Sequence, residues 1–233
     1  YGVHFLSALD GEKRDGTELK SEVLDIDGDG TVSLLDAHTF ARLSSKSIDV
    51  PTTTSERWLR SVVAEKSQGE PLTLAHEDAV IGVFGKHLDA PTEETARQKL
   101  EAIDAELAQI AEAEVGASQK ETEAFWDASA AVLARWPVLD DPWHPLWSKT
   151  VAETRPMIEE FMTTAPEMLV LKTAMGAVDK AANRRADLEV RRAPFHRLVR
   201  AFETKRLASA LAAAGGREWE RYQALRTCEN SAP

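Results

Sequence analysis

Asp25, Asp27, Asp29, Thr31, Ser33 and Asp36 fall at positions 1, 3, 5, 7, 9 and 12 of the stretch Asp25-Ile-Asp-Gly-Asp-Gly-Thr-Val-Ser-Leu-Leu-Asp36. That is the spacing with which a twelve-residue loop wraps oxygen ligands around a hard divalent cation. Thr31 would offer its carbonyl, and Gly30 at position 6 would permit the sharp turn. Six to eight oxygens on a flexible loop suit Ca²⁺ better than the smaller Mg²⁺, and the lack of Cys or His in the set argues against zinc. The competing reading is a polar turn, whose glycines supply positive φ and whose aspartates cap the next helix. It gives no reason for the separation of Asp25 from Asp36, nor for the apolar Val32 at position 8. Position 12 is Asp rather than the longer Glu, which predicts modest affinity. A modest site fills where calcium is millimolar, a weak preference for a location outside the cytoplasm.

Other reactive side chains are scattered. Cys228 is the single cysteine and lies in a polar tail, so the chain holds neither a disulfide framework nor a cysteine zinc site. His38, His76, His87 and His196 sit at isolated helical positions without the spacing of a metal pair. Asp141, His144 and Ser148 are neighbours in sequence, which establishes no catalytic geometry. No nucleophile paired with a base is recognisable.

The elements that must hold the loop read as helices. Val3, Phe5, Leu6 and Leu9 predict a short helix ended by Gly11, and residues 10–24 a polar connection. Leu34 to about Ser45 predicts a helix leaving the loop. Trp58, Leu59, Val62 and Val63 predict the inner face of another, capped by Thr54 or Ser55. Beyond Gln68-Gly69 the composition turns to Ala, Glu, Leu and Arg, so a second, helical domain is expected over 70–233 after a first over 1–69. Leu74 to Leu88 suggests a buried helix weakened by Gly82 and Gly85. Leu100, Ile103, Leu107 and Ile110 form a seam, which a turn at Gly116 would fold against Ala124, Phe125, Ala128, Val132 and Trp136 as a helical hairpin. Three prolines break residues 137–147, whose Trp143 and Trp147 are expected to plug the end of a bundle. Helices then follow over 149–163, 166–190 and 194–214, and a terminal one after Gly215-Gly216 carries Trp219, Tyr222 and Leu225.

With 233 residues, 43% of them hydrophobic, the chain has enough apolar mass for a real core. A formal net charge of -11 argues against nucleic acid or an anionic membrane as partner of the whole chain, and no apolar run is long enough for a membrane span. Residues 180–206 hold nine Lys or Arg against three acids, a basic stripe expected to pair with the seven acids of residues 93–114. A chain opening at Tyr1 without Met reads as a processed or subcloned piece.

The string Phe5-Leu-Ser-Ala-Leu9-Asp-Gly11, the loop from Asp25 to Ser33, Asp36-Ala-His38, Ser47-Ile-Asp-Val50 and Thr53-Thr-Ser-Glu-Arg-Trp58-Leu-Arg60 carry a family resemblance. Together they resemble bacterial caspase-like cysteine peptidases of the caspase and legumain type, in the portion downstream of the catalytic cysteine. In such proteins a helix, an Asp-Gly-Asp-Gly loop and a second helix follow the strand that presents the nucleophile, which pairs with an upstream histidine. The likeness covers residues 5–60, and the family's His-Gly and cysteine motifs are absent from this chain. The loop by itself is similar to an EF-hand or dockerin repeat, which also has Asp at position 12, but no second repeat follows.

The expected fold is therefore mainly α: a calcium-loop helical unit, implied by the resemblance to be a fragment of a caspase-like α/β domain, followed by an α-helical bundle with a hairpin. Two functions follow. One is the C-terminal, non-nucleophile portion of a caspase-like cysteine endopeptidase, partnered by the upstream catalytic portion of the same protein. The other is a non-catalytic, calcium-stabilised helical module that binds a protein or peptide.

Overall fold

The computed structural model describes residues 1–65 and 67–232, and they are almost entirely helical. The order is α1 Gly2–Asp10, α2 Ser21–Leu24, α3 Leu34–Ser44, α4 Thr54–Val62, α5 Ala75–His87, α6 Glu93–Arg135, α7 Trp147–Thr164, α8 Pro166–Ala214 and α9 Gly216–Glu229. A 3-10 turn spans Pro137–Asp140, and the β-structure of the described residues is one isolated bridge between Glu12 and Glu18. Two compact units emerge, and their limits lie elsewhere than residue 69: Tyr1–Asp104 with Glu189–Pro233 form the first, Ala105–Leu188 the second.

In the first unit, Gly11 ends α1 in the left-handed conformation with φ 69°, as its place in the sequence implied. Ala8 of α1, Leu24 of α2 and Ala37 of α3 share a small core joined by Phe5, Leu9, Val32 and Phe40. The polar connection thus contains a short helix, added because Leu24 is buried there. Helix α4 is capped one residue earlier than expected: Thr53 Oγ1 accepts from the Glu56 amide at 3.1 Å, while Ser55 is taken up by Glu229 of α9. Leu59 of α4, Leu207, Ala208 and Leu211 of α8, and Tyr222 of α9 form a second cluster. A third joins Val80 and Phe84 of α5 to Ala96 and Leu100 of α6 and to Leu198, Val199 and Ala201 of α8.

This third cluster corrects the hairpin. Leu100 packs on α8, not on a returning arm, and α6 runs unbroken for 43 residues through Gly116. A glycine inside a helix costs only about 1 kcal/mol relative to alanine, and the Ala-, Glu- and Gln-rich flanks of Gly116 are strong helix formers. The helices expected over 166–190 and 194–214 are likewise one, α8, of 49 residues with Pro194 inside it. Proline removes one helical hydrogen bond. Burial of Ala193, Leu198, Val199 and Ala201 around it offsets that loss.

The second unit has a smaller core. Ala128 of α6 and Ala165 and Met168 at the α7–α8 junction pack with Val132, Phe161 and Leu171. The expected tryptophan plug is corrected: Trp143 is 91% exposed and Trp147 is only half-buried. The buried indole is Trp136, edge-on to Phe161 with ring centroids 5.5 Å apart and with the Arg135 guanidinium 5.2 Å from its ring. Trp136 directly follows α6, so the helix end carries it into the core. Trp143 sits in the proline-rich segment, where its amide is held by the Asp141 carboxylate at 2.9 Å. The pairing of basic stripe with acids is found: Arg185 meets Glu114, Arg184 meets Glu106, Arg192 meets Asp104, and Arg206 meets Glu93.

Candidate metal centre

Asp25 follows α2 directly, and its carboxylate organises the turn after it. Oδ1 accepts from the amides of Gly28 at 2.8 Å and Asp29 at 3.1 Å, and Oδ2 from Gly30 at 2.9 Å. Gly28 and Gly30 have φ of 74° and 90°, a conformation that side-chain-bearing residues rarely adopt, so both glycines are required for these amides to converge. Asp29 Oδ1 accepts from the amide and hydroxyl of Thr31, each at 2.8 Å. The result is a group of three carboxylates, Asp25, Asp27 and Asp29, each presenting an oxygen within 4.8 Å of the others. Asp29 is exposed and Asp25 half-buried, so a cation has access to the group.

Thr31 remains beside this triad through its bonds to Asp29, but Ser33 and Asp36 belong to a different arrangement. Ser33 caps α3, its Oγ accepting from the Asp36 amide at 3.0 Å, while the Asp36 carboxylate returns to the Ser33 amide at 2.9 Å, a reciprocal capping box. Asp36 is fully buried, and both of its oxygens are used. Oδ2 takes the Ser33 amide and hydroxyl, and Oδ1 takes the Ile26 amide and Nε2 of His76, each at 2.9 Å. Burial alone would raise the Asp36 pKa. The hydrogen bonds from Ser33, Ile26 and His76 outweigh it, and the carboxyl titrates below its ordinary value. An ionised carboxylate only accepts, so Nε2 of His76 carries the proton in this pair.

Two residues central to this geometry carried no signal in the sequence. His76, on α5, lies forty positions beyond Asp36 and ties that helix to the loop. Asn230, after α9, donates from Nδ2 to Asp27 Oδ2 at 2.8 Å and brings Oδ1 within 3.2 Å of the Ser33 hydroxyl. The Leu34 amide also reaches the Ser231 carbonyl at 3.3 Å. Contacts of this kind join segments about 200 residues apart and follow no local periodicity. Beside them an open groove of about 380 Å³ is lined by Asp27, Leu35, Leu74, His76, Arg226 and Asn230.

Ionic contacts reinforce the ring of helices around the loop. Arg226 of α9 forks onto Glu77 of α5 at 2.9 and 3.1 Å, and Glu229 takes the Ser55 amide and hydroxyl of α4 at 2.7 and 2.6 Å. His38, buried on α3, contacts the Tyr1 hydroxyl at 2.6 Å. Burial and the nearby cations Arg42 and Arg226 lower its pKa to about 3, so it is neutral at physiological pH. Cys228 is exposed on the last turn of α9, and its thiol makes no hydrogen bond among the described residues. No described helix is long and apolar enough to cross a membrane. No family model, no curated protein and no solved structure matches this chain.

Proposed function

We propose that this chain is the calcium-stabilised, non-nucleophile portion of a caspase-like cysteine endopeptidase, a framework that supports a catalytic portion supplied upstream and adds a helical accessory region. The observation that carries the calcium part is the convergence of Asp25, Asp27 and Asp29, a hard-oxygen donor set without sulfur or imidazole. Asp36 serves this reading as the residue that fixes the loop to α3 and α5. Thr31 would lend its carbonyl, as in the twelve-residue loop pattern, whereas Ser33 stays engaged in the cap of α3.

The peptidase part rests on the residues that resemble such enzymes, and one surface is compatible with it. Val3 and Leu6 stand exposed on α1, beside an open groove of about 540 Å³ whose other lining is mostly charged, Asp10, Glu12, Lys13 and Arg14, a mixed surface that a further layer of protein could cover. A second reading, a stand-alone protein-binding module, is favoured by the apolar side chains that residues 105–188 turn to solvent.

Metal is tested by melting the chain with calcium and with EGTA, alongside elemental analysis. Removal of an ion held at a hundred times its Kd should lower Tm by about 5–10 °C for a chain of this size, and Asp25→Asn with Asp29→Asn should abolish the difference. An unchanged Tm, with no calcium in the protein, sinks the metal reading. The peptidase reading is tested on the coding sequence upstream of Tyr1. A His-Gly and a later Cys, each after an apolar strand, followed by peptide cleavage when that portion is combined with this chain, would sustain it. Their absence would leave the binding module.

A further inference from the structure

We infer that the groove between α6 and α8 in the second unit is a docking surface for a basic amphipathic helix of a protein partner. The groove encloses about 560 Å³. Its floor is made of alanines from both helices, Ala117 and Ala124 on α6 and Ala174 and Ala177 on α8, so an incoming backbone can approach closely. Leu169 and Val170, each about half exposed, form an apolar wall where α8 begins.

Length and charge define the occupant. The lining on α6 runs from Ala117 to Asp127 and that on α8 from Leu169 to Ala177, which at 1.5 Å per residue is about 15 and 12 Å of helix. A partner helix of two to three turns covers that span with apolar anchors at i, i+3 or i+4, and i+7. On the rim, Glu123 and Asp127 stand at i and i+4 of one helix with Lys120 one turn before them, so two acids face one cation in the lining. Like charges at this spacing oppose the helix that carries them, and a cation from outside relieves both. Residues 105–188 as a whole carry fourteen acidic against eight basic side chains. A second copy of the chain would bring two net-acidic units together, and an anionic bilayer would be repelled. Arg or Lys on the flank of an apolar helical stripe satisfies both wall and rim.

The test uses the full chain and a fluorescent sixteen-residue helical peptide with Leu at i, i+3, i+4 and i+7 and Arg on its flanks, compared with the same peptide carrying Glu for Arg. Anisotropy should show binding of the Arg peptide at least tenfold tighter than of the Glu peptide. Glu123→Gln with Asp127→Asn, a surface change that leaves the helix intact, should weaken it at least fivefold and flatten its salt dependence. Val170→Lys should reduce it further, with the circular dichroism melt of each variant confirming a folded chain. Hydrogen exchange should show protection over 117–127 and 169–177. Equal binding of the two peptides, no binding of either, indifference to the rim variants, or protection confined elsewhere overturns the proposal. So does self-association, or adhesion to phosphatidylserine vesicles, that Val170→Lys abolishes while peptide binding is unchanged.

Discussion

The first unit buries charged side chains, and the second exposes aromatic and methionine side chains. Among the described residues the buried charged side chains, Asp36, Arg42, Glu56, Glu77 and Arg197, belong to the first, whereas Phe125, Trp126, Trp143, Met157, Met162, Leu169 and Val170 stand exposed in the second. Six short helices and loops meet in the first unit, leaving helix ends and irregular backbone in the interior, and these need donors and acceptors. The second unit consists chiefly of long helices that satisfy their own backbone. Its side chains are therefore free to face outward, and its core is shallow. Buried polar networks specify one arrangement at a high cost of failure, while an exposed apolar face leaves room for a partner.

The sharpest way to break this contrast is Arg197. Its guanidinium, almost wholly buried on α8, donates to the carbonyls of Arg42, Ser45, Ser47 and Asp49, closing the end of α3 and the loop after it. Arg197→Ala takes the donor from the carbonyls of the buried Arg42 and Ser45 and from those of Ser47 and Asp49, opens a cavity, and should cost about 4 kcal/mol. Lysine cannot reproduce the fork, so Arg197→Lys should recover little of it. Urea unfolding read by circular dichroism measures both, and a loss below about 1 kcal/mol would mean that the polar interior does not hold the first unit together.

In the second unit the corresponding anchor is apolar. Trp136→Ala removes the indole packed on Phe161 and should cost about 3 kcal/mol. Thermal melts of that variant and of Arg197→Ala in parallel show whether each unit depends on its own kind of interior.

A smaller effect concerns acid. Burial pushes the Glu203 carboxyl up, but Arg60 and Arg97 hold it, and its pKa in the folded chain falls below the ordinary glutamate value. The unfolded chain then binds the proton more readily. The stabilisation is complete above the unfolded value and is lost as pH falls through the folded one. Glu203→Gln should therefore lower stability at pH 7 and make the acid side of the stability–pH curve less steep, with the two proteins converging at low pH.

What the sequence disclosed follows from the range of the interactions. Helix α1 and its Gly11 stop, α3 from Leu34, and α9 after Gly215 were legible because a break or a periodic apolar face acts within a few residues, whereas Ser33, read as a ligand, caps α3. Gly116 and Pro194 misled because local preferences worth about 1 to 3 kcal/mol yield to burial of the surrounding apolar residues. In the loop, the spacing of Asp25, Asp27 and Asp29 foretold a cluster, since alternate positions in a tight turn converge. The engagement of Asp36 by His76, and of Asp27 by Asn230, depends on α5 and α9 arriving from elsewhere in the chain. No motif encodes that arrival.

The smallest expected effect separates the two units most cleanly. Trp143 is 91% exposed, so its indole gives up little contact with the rest of the protein when truncated. Trp143→Ala should leave stability within about 0.5 kcal/mol of the parent, against the several-fold larger loss for Trp136→Ala only seven residues earlier. Chain position and residue type are nearly the same, so the difference isolates burial. A loss above about 2 kcal/mol from Trp143→Ala would place that ring inside a packed interior. The second unit would then share the first unit's closed character, and the contrast drawn between them would fail.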